Sequence, residues 1–273
     1  MSPDIALAAL TALELPPPAL VAVAAENGCA AAGLRLIPVL PGAPAYPLMD
    51  DPALLRETLR VLADTGVRVG DVEIVMLRPD TDLDAFQPFL EVAGRLGARH
   101  VLVAGYDPDE ARLTGNYAAF CDLAAPFGLT ADLEFMPWSD VPDLVTARRV
   151  SLAADRPNAG VLLDALHFDR SGGCVEDIAA TPPDLLHYWQ VCDGPKERPD
   201  TLEAMLHTAR AERQFPGEGG IDLLPIVRAM PPGLTVSMEI PTAELAMTVP
   251  PTERVRRAVR ATRALLQRAG QGG

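Results

Sequence analysis

Eight times along the chain a short apolar run gives way to a segment of helical periodicity, and this alternation constrains the fold more than any other feature. The apolar runs are a first strand over Ile5 to Thr11, a second over Gly33 to Ile37, and then VRVGDVEIVML, ARHVLVAGYD, LTADLEFMPW, NAGVLLDALHF, LLHYWQVCDGP and LTVSMEIP. The helix signals between them are local. A first helix through Glu26 carries Pro18 in its first turn and stops at Gly28. A second has Asp51 as N-cap, Pro52 at the first position, Leu55, Leu59 and Leu62 on one face, and Gly66 at its stop. Further helices are expected in DLDAFQPFLEVAGRLG, GNYAAFCDLAAPFG, VPDLVTARRVSLAADRP, around VEDIAA, in TLEAMLHTARAERQ, after the PGEGG turn, and in ERVRRAVRATRALLQRAG, beyond which a glycine tail is expected to be disordered. With no boundary-like linker, eight such units in 273 residues predict an α/β chain folded as a single (β/α)8 TIM barrel, one domain over residues 1–273.

The composition allows a large core, 49% of the residues being hydrophobic. A net charge of −14 argues against nucleic acid as a partner, because phosphate binding needs clustered cations. Lys196 is the only lysine, so a Schiff-base mechanism would have to use it. Cys29, Cys121, Cys174 and Cys192 form no CxxC pair, no secretory leader pattern precedes them, and no run reaches membrane-spanning length. The expectation is a cytoplasmic protein with free thiols and no membrane contact; a homo-oligomer is compatible with it.

In such a barrel the C-terminal strand ends form the active face. Four successive runs finish there on an oxygen-bearing side chain: Glu134, Asp164, Gln190 and Glu239. Any one of them alone is as well explained as a loop cap, but three carboxylates aimed at one space repel unless a cation neutralises them. All-oxygen donors suit one hard divalent metal ion, Mn2+ or Mg2+. His167, three residues after Asp164, is expected to act on substrate beside that metal, and Arg213 to grip a substrate oxygen or anion. His100, His187 and His207 lack such a setting, Arg35 fits the mouth or an outer face equally, and Tyr106, Trp138 and Phe168 are candidate pocket walls.

LEFMPW around Glu134, LLDALHF with the Asp164/His167 D-x-x-H pair, the R-x-x-P-G-E-G turn from Arg213 and MEIP with Glu239 together resemble the xylose isomerase-like TIM barrels. That superfamily includes sugar-phosphate isomerases, ketose 3-epimerases, inosose dehydratases and 3-dehydroshikimate dehydratases, and the resemblance runs through essentially the whole chain. It implies that these positions hold one divalent metal and that the paired glutamates also move protons. Many members have histidine where Gln190 stands, whereas some dehydratases resemble this chain in using glutamine. A DNA-repair branch with several metals fits the few histidines and the negative charge poorly.

The chemistry expected is proton removal beside a carbonyl, through an enediolate, on a small polyhydroxy carbonyl substrate. Glu134 or Glu239 is expected to be the base, with His167 as a further catalytic candidate, and His167 and Arg213 are expected on the substrate. An isomerase or epimerase of sugar-like compounds is the first expectation, a dehydratase the second, and a non-catalytic metal-binding barrel the rival of another class. No dinucleotide fingerprint, phosphate-cradling loop or nucleophile elbow occurs to support hydride, phosphoryl or acyl transfer.

Overall fold

The computed structural model describes residues 3–270. Eight parallel strands close into one barrel in chain order: β1 (Ile5–Leu7), β2 (Ala31–Arg35), β3 (Arg68–Leu77), β4 (His100–Gly105), β5 (Thr130–Glu134), β6 (Ala159–Asp164), β7 (Tyr188–Val191) and β8 (Thr235–Met238), with β8 pairing back onto β1. Around them run α1 (Pro17–Glu26), α2 (Pro52–Thr65), α3 (Gln87–Arg95), α4 (Glu110–Ala124), α5 (Leu144–Ala154), α6 (Ala165–Arg170), α7 (Val175–Ala179), α8 (Leu202–Ala211), α9 (Leu223–Ala229), α10 (Ala243–Ala246) and α11 (Pro251–Ala269). The (β/α)8 expectation is therefore met, and the expected glycine tail lies outside the described residues. No helix among the described residues is long and apolar enough to cross a membrane. All four cysteines are free, three of them buried and Cys174 exposed.

The helix ends follow local chemistry. Asp51 caps α2 by accepting from the amides of Ala53 and Leu54, and Gly66 ends it in the left-handed region at φ 71°, where a side chain would be strained. Elsewhere the boundaries depart from the sequence expectation. β1 ends at Leu7 and a 3-10 turn over Ala9–Ala12 follows, its Thr11 hydroxyl donating to the Met238 carbonyl. β2 lies two residues earlier than GLRLI, because Ala31 and Ala32 pair with β1, whereas Leu36 and Ile37 both donate to the Glu73 carbonyl as the chain leaves the sheet. α4 starts at Glu110 rather than Gly115, since Asp109 caps the earlier turn and accepts from the Arg112 amide. β6 stops at Asp164, and the ALHF expected to continue it turns into α6.

The floor of the barrel, at the N-terminal strand ends, holds a polar cluster of Asp132 with His100 and His187. Asp132, wholly buried on β5, accepts from the Thr130 hydroxyl at 2.6 Å and pairs with His187 Nδ1 at 2.7 Å, and the His187 ring lies parallel to that of His100. A β-carbon at Gly160 would collide with both Asp132 Oδ1 and His187 Nδ1, so this contact requires glycine there. Burial opposes a charged His187, but the hydrogen bond and charge of Asp132 outweigh it and hold its pKa above 6.5. A histidine raised on folding stabilises the protein fully below its unfolded pKa, and that stability is lost as pH rises through the folded pKa. The melting-temperature gap between the wild type and His187→Gln is therefore expected to be larger at about pH 5.5 than at about pH 9. Burial instead holds His100 below its usual value, Asp132 opposing it and the charge of His187 adding to it, so the gap reports the His187–Asp132 contact together with its effect on His100. An equal gap at both pH values would contradict the assignment.

Candidate metal centre

At the opposite end, β5 and β6 finish on Glu134 and Asp164, Gln190 pairs in register with Asp164, and Glu239 directly follows β8. Glu134, Asp164 and Glu239 each bring a carboxylate oxygen within 4.8 Å of the others, and all three are buried. Two like charges at that separation repel by roughly 3–4 kcal/mol at an effective dielectric near 20. One cation, Arg213, already offsets part of this: Nη1 donates to Asp164 Oδ2 at 2.6 Å and Nη2 sits 2.7 Å from Glu239 Oε2. Three negative charges against one positive leave two uncancelled, which a single divalent ion would neutralise. Without that ion, burial and the neighbouring Glu239 and Asp164 push Glu134 well above the carboxylate range, and burial with Asp164 and Glu73 takes Glu239 up to about 7 despite Arg213. Burial acts the same way on Asp164, yet Arg213 and His167 hold it below its ordinary value.

Gln190 supplies an independent test of the fit. Its amide nitrogen donates to Glu239 Oε1 at 3.3 Å, and this leaves the carbonyl oxygen Oε1 buried with no hydrogen-bond partner. Buried polar atoms are rarely left unpaired, so an oxygen in that condition beside three carboxylates fits a cation ligand. The donor set is all oxygen, as a hard divalent ion requires.

Asp164 also caps α6, accepting from the His167 amide at 3.0 Å, and this turn sets the imidazole beside the cluster. His167 Nε2 lies 3.7 Å from Glu134 Oε1, Nδ1 is buried without a partner, and the ring meets Trp138 edge-on at 5.0 Å. Burial lowers its pKa to about 4, so the ring is neutral at neutral pH. Glu134, His167, Arg213 and Glu239 line one cavity of about 240 Å³, room for a small metabolite, with Tyr106 and Trp138 among its walls. Phe168 is not: it packs in the apolar core, where a β-carbon at Gly173 would strike its ring. Gln190 and Asp164 are fully buried and do not line this cavity. Arg213, expected to grip substrate, is buried and engaged with both carboxylates and with the Ala209 carbonyl.

Arg35, open between mouth and outer face from the sequence, forms a second pair in the same cavity. Arg35 Nε donates to Glu73 Oε1 at 2.7 Å, both side chains are buried, and both line the cavity. Arg78, lying over the Tyr106 ring at 5.7 Å, and Arg210 line it too, and among the described residues neither is ion-paired with an acidic side chain.

Residues 21–265 match a family model described as xylose isomerase-like TIM barrel. The chain is 28% identical over 186 residues to a 3-dehydroshikimate dehydratase of Pseudomonas aeruginosa, covering 62% of this chain and 28% of that protein. It is 24% identical over 152 residues to an inosose isomerase of Bacillus licheniformis, covering 52% of each. The matches thus span about a quarter and about half of the length of these two relatives. Among solved structures, the IOLI protein with a bound zinc atom superposes with a TM-score of 0.81 at 18% identity, covering 97% of this chain and 99% of that one. A fusion of a xylose isomerase-like TIM barrel with a 4-hydroxyphenylpyruvate dioxygenase gives 0.83 at 20% identity, covering 98% of this chain and 43% of that one. At such identities these likenesses show the fold.

Proposed function

The chain belongs to the xylose isomerase-like TIM barrel family, and from that premise we propose that it is a divalent-metal-dependent dehydratase of a small, acidic polyhydroxy carbonyl compound. The observation that carries this reading is the convergence of Glu134, Asp164, Gln190 and Glu239 beside a neutral, unpaired imidazole in one small cavity. The four oxygen-bearing residues would hold the metal, Mn2+ or Mg2+ on the hardness of the donors. When bound, that ion supplies a Lewis acid that acidifies the C–H bond next to a substrate carbonyl. His167 takes the proton: it lines the cavity with no hydrogen-bond partner on Nδ1, and Glu134 at 3.7 Å from Nε2 stabilises the imidazolium that forms. The same imidazolium can return its proton to a departing hydroxyl, so that hydrogen and hydroxide leave together as water and a carbon–carbon double bond remains. Arg213 fixes Asp164 and Glu239 in place, while Trp138 and the apolar wall keep water from the acidified carbon.

Two observations favour elimination over simple proton return. The surplus positive charge of Arg78 and Arg210 suits a substrate carboxylate, and a relative matched over 62% of this chain is named a 3-dehydroshikimate dehydratase. The inosose isomerase relative supports the second reading, an isomerase or epimerase working through the same first step. Incubating the Mn2+- or Mg2+-loaded protein in heavy water with 3-dehydroshikimate, inososes and keto-sugars separates them. The expected result is loss of one water from 3-dehydroshikimate with a new double bond. Deuterium incorporation into an inosose or keto-sugar without water loss would favour isomerisation, and no conversion of any of them would leave a non-catalytic barrel.

A further inference from the structure

The Arg35–Glu73 pair uses only part of its hydrogen-bonding capacity. The two residues are register partners on β2 and β3, so their side chains enter the barrel mouth at one level. Glu73 Oε1 accepts from Arg35 Nε, but Glu73 Oε2 is buried without a partner. The terminal nitrogens of Arg35 make no hydrogen bond to the described residues.

A pair serving only to close the barrel would gain little from this arrangement. Buried ion pairs can commonly be replaced by apolar side chains without loss of stability, and Ile74 and Leu102 on the same cavity wall show that apolar residues fit there. Each buried polar group left unsatisfied costs about 1–3 kcal/mol. Here an unused acceptor and unused donors stand side by side on a cavity that also holds Glu134, His167 and Glu239.

We infer that Arg35 and Glu73 form a subsite for two adjacent hydroxyl groups of the substrate, one donating to Glu73 Oε2 and the neighbour accepting from an Arg35 terminal nitrogen. This rests on the cavity being a substrate site for polyhydroxy compounds, as proposed above. The pair carries no net charge, so it discriminates for a diol rather than a carboxylate. The unpaired Arg78 and Arg210 take the acidic end, and the substrate is thereby given one orientation across the mouth. It is a specificity element for the hydroxyl-bearing edge of the substrate, the edge from which the proposed elimination takes hydrogen and hydroxide.

The test is binding rather than turnover, which separates its failure from failure of the proposed reaction. Calorimetric titration of the Mn2+-loaded protein compares shikimate, a ring carboxylate with adjacent hydroxyls, with cyclohexene-1-carboxylate, which has none. The wild type is expected to prefer shikimate by about 10–100-fold. In the Arg35→Met/Glu73→Leu double variant that preference collapses while cyclohexene-1-carboxylate binds as before. If the double variant does not fold, Glu73→Gln keeps the shape, removes the acceptor charge and is expected to lose most of the preference. A wild type without preference, one that binds neither compound, or an undiminished preference in a folded variant would each overturn the subsite.

Discussion

Replacing Glu134 or Glu239 by glutamine is expected to lower turnover by at least about 100-fold and to weaken metal binding at the same time. Each substitution keeps the size of the side chain and removes one of the three negative charges that make the cluster a cation site. The remaining two carboxylates against Arg213 leave a single uncancelled charge, half of what a divalent ion brings. Stability should move the other way in the metal-free protein, because a buried, crowded carboxylate has been replaced by a neutral amide. Metal content by elemental analysis, activity and melting temperature on the same samples check all three. A folded Glu134→Gln or Glu239→Gln protein with wild-type metal content and activity would remove these residues from the site.

His167→Ala is expected to retain the metal and the fold while losing about 10²–10⁴-fold in turnover, the range for removal of a positioned acid–base group. The imidazole lies 3.7 Å from Glu134 Oε1 and makes no side-chain hydrogen bond that the cluster depends on. Its backbone amide bonds to Asp164 Oδ1, and that interaction survives the substitution. The loss should fall on kcat rather than KM if the ring handles the proton rather than the bound substrate. Loss of metal from folded His167→Ala would make the imidazole a ligand and contradict the all-oxygen set.

The candidate site was legible because each of its four oxygen-bearing residues stands where an apolar run turns polar, and in a parallel barrel all such points share one rim. Local cap chemistry made α2 equally legible. What escaped depends on contacts between distant segments. Glu73 lies mid-run in VRVGDVEIVML, and the register shift between Val72 and Val75 defeats alternation as a guide to the face it occupies. Its partner Arg35 is then equally undetermined. Arg213 meets both carboxylates where its backbone amide bonds to the Pro241 carbonyl, a link no spacing encodes. The floor cluster did leave a signal: in ADLEF, Asp132 is two residues from Glu134, so it faces the barrel interior one layer lower, where a buried carboxylate needs a partner such as His187.

One divalent cation is expected among Glu134, Asp164, Gln190 and Glu239. A crystal of the Mn2+-soaked protein, measured on both sides of the manganese absorption edge, locates the ion directly. One strong anomalous peak is expected, in bonding contact with oxygen atoms from all four side chains. No peak at this cluster, or a peak contacting fewer than three of these residues, would contradict it.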